Sequence, residues 1–199
     1  MGKAMGKLFF KNGSDELKNV PKSFFELTAT DIRGNPVSFE DYRGKHKAYL
    51  VVNVACLCGL TYGNYKQLSS MYDRYQSEGL TVLAFPCNQF KNQEKDSEED
   101  IEEFVKTKFN AKFQLFSKVD INGSNTHPVF KYLRTHSELH DPATGLTKEI
   151  PWNFAKFLLD KEGNVIKFFH PTVEPKNFET AGKRGLQLGM AVENALKKQ

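Results

Sequence analysis

The stretch of sequence that decides the fold is residues 47–64, KAYLVVNVACLCGLTYGN. It contains an apolar, β-branched run, Tyr49 to Ala55, which is too short to cross a membrane and is typical of a strand buried on both faces. Cys56 and Cys58 follow directly, and the sequence reads as helical from about Tyr62. The pattern predicts a buried strand that delivers a thiol to the first turn of a helix.

The position of Cys58 predicts a reactive thiol. A side chain at the start of a helix lies among backbone N–H groups without a partner inside the helix, at the positive end of the helix dipole. That setting favours the thiolate, which is the nucleophilic form of a cysteine. Cys56 comes straight after the apolar run and is interpreted as a small buried residue that closes the strand. The spacing of Cys58 from the strand and from Gly59 favours exposure at the helix N-terminus, so we expect Cys58 to be a nucleophile.

Length and composition fit one globular domain. The chain has 199 residues, 39% of them hydrophobic and 17 of them phenylalanine, as expected for a packed core. The net charge of +4 comes from lysines scattered among acidic residues. Without a basic stripe, a nucleic-acid partner is not expected. We expect residues 1–20 to be a polar lead-in and residues 21–199 to form a single domain.

The number of cysteines indicates the redox state of the compartment in which the protein is expected. Three cysteines are too few, and odd in number, for a secreted scaffold held by disulfides, so a reducing compartment is favoured. No stretch has the length of a transmembrane helix, and the N-terminal MGKAMGKLFF lacks the pattern of a signal peptide. The expected location is cytoplasmic. A metal site is not expected, because Cys-x-Cys lacks the usual second pair of zinc ligands.

The remaining sequence alternates between strand and helix patterns. Strands are predicted at 23–28 and 37–39 as an N-terminal hairpin, at 81–85, and at 154–159 and 165–169 as a second hairpin. Helices are predicted at 62–76 with Gly79 as the stop, from Ser97 with Asp100 as its capping partner, from Pro128, and in the tail after Asn177. Residues 136–151 are predicted to be a loop. This order describes an α/β protein with a central mixed β-sheet flanked by helices, and a strand that runs into a cysteine at a helix start is typical of the thioredoxin-like fold.

Three separated motifs resemble those of the glutathione peroxidase family. NVACLCGLTYGNY is similar to the family signature in which the reactive cysteine or selenocysteine precedes Gly-x-Thr, and LAFPCNQF at 83–90 is similar to the second signature. WNF at 152–154, followed by KFLLDKEG, is similar to the third, and NGSNTHP at 122–128 extends the likeness. The resemblance runs from about Pro21 to the C-terminus, and it implies a thioredoxin-like peroxidase domain.

The resemblance also implies an active-site tetrad. Cys58 corresponds to the peroxidatic residue, Gln93 to the family's glutamine, and Trp152 and Asn153 to its Trp-Asn pair. Amide and indole N–H donors can stabilise a thiolate and a departing oxygen without titrating near neutral pH. The thiolate attacks a peroxide, releases hydroxide or alkoxide, and becomes a sulfenic acid. The implied cycle needs no cofactor beyond a co-substrate, glutathione or thioredoxin, and the sequence is compatible with selenocysteine at position 58 in the natural protein.

Departures from the family pattern bear on the reductant. Thioredoxin-dependent members carry a resolving cysteine where this chain has Lys106. Glutathione or another small thiol is therefore the expected reductant. A thioredoxin-linked peroxidase, a redox relay or a thiol–disulfide oxidoreductase stays an alternative, with Cys56 or Cys87 as the second thiol. The family usually has serine at the position of Cys56, and KNQEKD replaces Gly-x-Gln-Glu-Pro-Gly around Gln93.

The predicted loop at 136–151 is short. Tetrameric members of the family carry a longer insertion there, so the resemblance implies a monomer. An open face around Cys58 would admit bulky peroxides, including lipid hydroperoxides at a membrane. Lysines near the site either guide an anionic thiol or lipid headgroup, or form a solvated face: Lys106, Lys108 and Lys112.

Overall fold

The fold is built on a five-stranded sheet. A computed structural model describes residues 13–175 and 186–198 of the chain. The strands in these residues are β1 (Ser14–Asp15), β2 (Thr28–Thr30), β3 (Pro36–Ser38), β4 (Ala48–Val54), β5 (Leu80–Pro86), β6 (Gln114–Leu115), β7 (His140–Asp141), β8 (Leu146–Lys148), β9 (Lys156–Asp160) and β10 (Val165–Phe169). The α-helices are α1 (Thr61–Tyr75), α2 (Glu98–Phe109), α3 (Pro128–Thr135) and α4 (Leu186–Lys197).

The central sheet has the order β10-β9-β4-β5-β6. β4 runs parallel to β5 and antiparallel to β9, with Val54 opposite Pro86 at the end of the parallel pair. Every residue of β4 and β5 is buried, as the continuous apolar runs predict for strands covered on both faces. The central mixed sheet of the thioredoxin-like prediction is therefore present.

Helices cover both faces of the sheet, as predicted. Leu50, Val52 and Val54 belong to a core that also contains buried residues of α1, α2 and α4. Tyr49 and Val51, which alternate with them, belong to a second core that contains α3. Since successive side chains of a strand point to opposite faces, one strand contributes to both cores.

Local signals placed the helix ends correctly. Gly79 follows α1 and its short 3-10 extension with a left-handed φ of 109°, a conformation that glycine adopts without strain. The side chain of Ser97 accepts a hydrogen bond from Asp100 N, so the predicted cap of α2 is confirmed. Pro128 is the first residue of α3. The predicted C-terminal helix is confirmed over Leu186–Lys197, while residues 177–185 of that prediction lie outside the described residues.

The prediction of a strand at 23–28 was largely wrong. Phe24–Glu26 form a 3-10 helix, and only Thr28 enters β2, which pairs with β3 in the predicted hairpin. Phe24 and Phe25 are both buried, although adjacent side chains of a strand point to opposite faces. The side chain of Ser23 accepts a hydrogen bond from Phe25 N and caps the turn. The strand prediction therefore assigned the two-residue period of a strand to a pair of phenylalanines that lie in a 3-10 helix.

The prediction of a loop at 136–151 was also wrong. β7 and β8 form a hairpin there, and β1 pairs with β8, which brings part of the predicted lead-in onto the domain. The buried guanidinium of Arg134 fastens these pieces, since it contacts Asp15 at 3.0 Å and donates to the carbonyls of Thr147 and Lys148. Strands of two or three residues are too short to show an alternation of apolar and polar residues.

None of the described helices has the length and apolarity needed to cross a membrane.

Candidate active site

Cys58 lies in the turn between the end of β4 and the start of α1. Thr61, the first residue of α1, donates its hydroxyl to Ala55 O at 2.6 Å and accepts from Cys58 N at 3.1 Å. These bonds close the turn around the cysteine. The backbone N–H of Leu60 donates to the sulfur of Cys58 at 3.5 Å, and only 9% of the residue is exposed. The thiol lies near the helix N-terminus, three residues before α1 rather than in its first turn. The expectation that it is exposed was wrong, because Cys58 packs into the core that contains α1.

Gln93 comes from the loop after β5. Its backbone oxygen accepts from Leu57 N at 2.9 Å, so the glutamine segment is bonded to the residue that precedes Cys58. Lys91, where the family has glycine, adopts a left-handed φ of 54°, as does Asn92 at 52°. The lysine thus takes a conformation that glycine adopts more easily, at a cost of about 1 kcal/mol. The departure from the family pattern does not remove Gln93 from the site.

Trp152 and Asn153 precede β9 and are held by a buried asparagine of β4. Asn53 Nδ2 donates to Trp152 O at 3.2 Å, and Asn53 Oδ1 accepts from Ala155 N at 3.0 Å. The backbone oxygen of Asn53 accepts from Phe154 N at 2.7 Å. Phe154 has a left-handed φ of 67°, which turns the chain sharply between the Trp-Asn pair and the strand.

A buried lysine supports the same segment from the other side. Lys156 Nζ donates to Phe154 O and to Val173 O, both at 2.7 Å. Burial lowers the pKa of Lys156 to about 7, and the carboxylate of Glu174 opposes that shift. The amine therefore satisfies two backbone carbonyls beside the Trp-Asn pair.

The structure brings the amides of the predicted tetrad together. Asn153 Nδ2 donates to Gln93 Oε1 at 2.9 Å across 60 residues of sequence. Asn153 is fully buried, and its Oδ1 has no hydrogen-bond partner among the described residues. Trp152 packs with Phe90 at 5.4 Å between ring centroids, and Lys91 Nζ lies 5.8 Å from its indole ring. Within the described residues, neither amide is hydrogen-bonded to the sulfur of Cys58.

The other two cysteines have different surroundings. Cys56 Sγ donates to Glu94 Oε1 at 3.5 Å, and burial together with this carboxylate raises the pKa of the Cys56 thiol. Cys87 follows β5 and is fully buried, which raises its pKa to about 12. All three cysteines are free. The interpretation of Cys56 as a buried residue agrees with this geometry.

Sequence reasoning missed three residues that build the site: Asn53, Thr61 and Glu94. Asn53 was visible as one polar residue inside an apolar strand, a pattern that favours a specific buried hydrogen bond. Thr61 was noted only as part of a motif. Glu94 was noted only as one member of the charged run KNQEKD, yet it is buried. The signal that could have found it is the family pattern, which has glutamate directly after the glutamine, as this chain does.

The fold and the site define a class. A free thiol at a helix N-terminus, beside a pair of bonded side-chain amides on a mixed α/β sheet, belongs to a thiol-dependent redox enzyme of the thioredoxin-like fold. The chain belongs to the glutathione peroxidase family, since the model described as "Glutathione peroxidase" matches residues 24–134. It is a thiol-dependent peroxidase that acts on hydroperoxides.

Individual relatives agree with this membership. "Probable glutathione peroxidase 2" of Arabidopsis thaliana is 46% identical over 159 residues, covering 80% of this chain and 90% of the relative. "Probable phospholipid hydroperoxide glutathione peroxidase" of Mesembryanthemum crystallinum is 47% identical, covering 80% and 89%. The crystal structure of "Trgpx in apo form" superposes with a TM-score of 0.65 at 32% identity, covering 89% of this chain and 97% of that one.

Proposed function

We propose that Cys58 is the peroxidatic residue and that Gln93, Trp152 and Asn153 assist it. The observation that carries this proposal is the 2.9 Å bond between the side chains of Gln93 and Asn153, because it joins two distant motifs beside the turn that holds Cys58. In this bond Gln93 uses its oxygen, so its N–H donors remain for a substrate, while Asn153 is fully buried and holds Gln93.

The proposed reaction breaks the O–O bond of a hydroperoxide. The sulfur of Cys58 attacks one oxygen, the electron pair of the O–O bond leaves with the other, and a proton converts that oxygen to water or an alcohol. Amide and indole N–H groups stabilise the charge that passes from sulfur to the departing oxygen. Cys58 is left as a sulfenic acid, which two external thiols return to the thiol while they form a disulfide and water.

The proposed reductant is glutathione or another small thiol. The position at which thioredoxin-dependent members have a resolving thiol is occupied by Lys106, whose amine is bonded to Glu102 at 2.7 Å on α2. Cys87 is fully buried, and Cys56 is held as a neutral thiol by Glu94. Neither is placed to resolve a sulfenic acid without rearrangement. The cycle uses no cofactor besides these thiols.

The proposed substrates are hydrogen peroxide and organic or lipid hydroperoxides. Leu57 and Tyr62, on either side of Cys58, are 52% and 68% exposed, and such an apolar rim suits an acyl chain. Relatives whose names include phospholipid hydroperoxide support this class. We further propose a cytoplasmic monomer with an antioxidant role, although named relatives include mitochondrial and chloroplastic proteins.

The test is a peroxidase assay of the wild type, Cys58→Ser and Cys87→Ala. Each is assayed with glutathione and with thioredoxin, against hydrogen peroxide and a phospholipid hydroperoxide. Cys58→Ser should lower kcat/KM at least about 10³-fold, since removal of a nucleophile stops the reaction, whereas Cys87→Ala should retain turnover. Glutathione should be the better reductant, and mass spectrometry should find one added oxygen on Cys58.

Two results would overturn the proposal. Undiminished turnover in Cys58→Ser would remove Cys58 from the chemistry. A loss of two hydrogens between Cys56 and Cys58, in place of an added oxygen, would identify a thiol–disulfide oxidoreductase that uses the cysteine pair.

A further inference from the structure

Glu94 is a buried carboxyl beside the active site. It is 1% exposed and directly follows Gln93, and no ion pair involves it within the described residues. Its Oε2 accepts the backbone N–H of Cys56 in a close contact, and its Oε1 accepts the thiol of the same residue at 3.5 Å. A buried carboxyl is costly unless its oxygens are bonded, so these two donors explain why it is tolerated.

Glu94 and Gln93 together tie two loops to each other. Gln93 O accepts from Leu57 N at 2.9 Å, and the carboxyl of Glu94 accepts from Cys56 N. Two adjacent residues of one loop thus hold two adjacent residues of the other. Glu94 is fixed in turn, because its backbone N–H donates to Asn88 Oδ1 at 2.9 Å. Cys58 is the next residue along the tied segment.

We propose that Glu94 is a positioning residue for peroxide reduction: its ionised carboxylate holds the Cys56–Cys58 turn against the Gln93 loop, and its protonation loosens that contact. This inference rests on the proposed role of Cys58. The ionised carboxylate has two acceptor oxygens for the two donors of Cys56. Protonation places a hydrogen on one oxygen, so both donors can no longer be accepted equally well.

The surroundings of Glu94 place the pKa of its carboxyl near neutral pH. Burial raises its pKa to about 7, while the hydrogen bonds from the backbone and thiol of Cys56 oppose the shift. Below that pH the neutral form predominates and the tie is loosened; above it the carboxylate holds the turn. The titratable groups that interact with Glu94 are Cys56, Tyr65, Cys87, Asp96 and Lys118.

The experiment compares Glu94→Gln with the wild type in single-turnover oxidation of Cys58 by hydrogen peroxide, from pH 5 to 9. Glutamine has the shape of a neutral glutamic acid, so the two proteins should react at the same rate near pH 5. Near pH 8 the variant should be about tenfold slower or more, because displacement of a reacting group by about 1 Å costs up to roughly 10²-fold. Glu99→Gln, an exposed glutamate of α2, is the matched control and should follow the wild-type profile.

A second pair of variants keeps the test independent of the folding of Glu94→Gln. Cys56→Ala removes the thiol donor, which destabilises the carboxylate of Glu94. The rise in the rate of Cys58 oxidation that the wild type should show near pH 7, called the step below, should therefore move to higher pH. Cys56→Ser keeps a donor and should leave the step in place. A rate ratio between Glu94→Gln and wild type that is constant from pH 5 to 9, or identical profiles for the two Cys56 variants, would overturn the inference. If Cys58→Ser were fully active, the proposed function itself would fail, which is a separate result.

Discussion

The N-termini of α1 and α2 differ in how their free N–H groups are satisfied. At α2, Ser97 accepts from Asp100 N at 3.2 Å and donates to the Asp100 carboxylate at 2.7 Å. The first turn of α2 carries three acidic residues, whereas the first turn of α1 carries none. The N-cap residue of α1, Leu60, makes no side-chain capping bond, and its own N–H donates to the sulfur of Cys58.

The difference shows how one local structure serves stability in one place and chemistry in another. Carboxylates in the first turn of α2 offset the positive end of its dipole, which stabilises the helix. At α1 no acidic side chain occupies the first turn, and the backbone N–H of Leu60 donates to the sulfur of Cys58 instead. Stability of the α1 turn comes instead from Thr61, which bonds both Cys58 N and Ala55 O.

The largest expected effect concerns the two side-chain amides that are bonded to each other in the candidate site. Gln93→Ala or Asn153→Ala should each slow oxidation of Cys58 by about 10²- to 10³-fold, as for loss of one donor to a developing charge. Because the two side chains are bonded to each other, the double variant should lose less than the product of the single losses. Stopped-flow single-turnover rates with hydrogen peroxide measure the losses in the two single variants and in the double variant. Full activity in both single variants would mean that the helix terminus alone activates the thiol.

A smaller effect is expected at the capped helix. Ser97→Ala should lower the free energy of unfolding by about 1 kcal/mol, since it removes the N-cap acceptor of α2. Chemical denaturation measures the loss, and Ser97→Asp should restore most of it. The alkylation rate of Cys58 by iodoacetamide should not change. A change in that rate would show that the two helix ends are coupled.

The smallest effect comes from giving α1 the acidic first turn that α2 has. Tyr62→Glu places a carboxylate at an exposed position of that turn, and should slow alkylation of Cys58 about two- to fivefold at low salt, the size of a charge–dipole effect. The neutral Tyr62→Gln is the control and should react like the wild type. The difference between these variants should shrink in 1 M salt through screening. Equal rates at low salt would contradict the role assigned to the open helix terminus.

Much of the fold was readable because its signals are local. The β4 run, Gly79 after α1, the Ser97 cap and Pro128 each depend on a few consecutive residues, and each is present as predicted. The errors occurred where local signals are weak or ambiguous. Phe24 and Phe25 suit a strand by composition but are both buried in a 3-10 turn, and β7 and β8 are too short to show a period.

The sequence by itself determined that a buried strand ends in a thiol at a helix start, because strand and helix periodicities are properties of neighbouring residues. Only the tertiary structure decided that the side chains of Gln93 and Asn153, which the family resemblance had named, are bonded to each other across 60 residues. It also decided that Asn53 holds the Trp152 segment 99 residues away and that Glu94 is buried against Cys56. The physical reason is that such contacts follow from sheet order and register, which bring distant loops to one edge and leave no periodic trace in the chain.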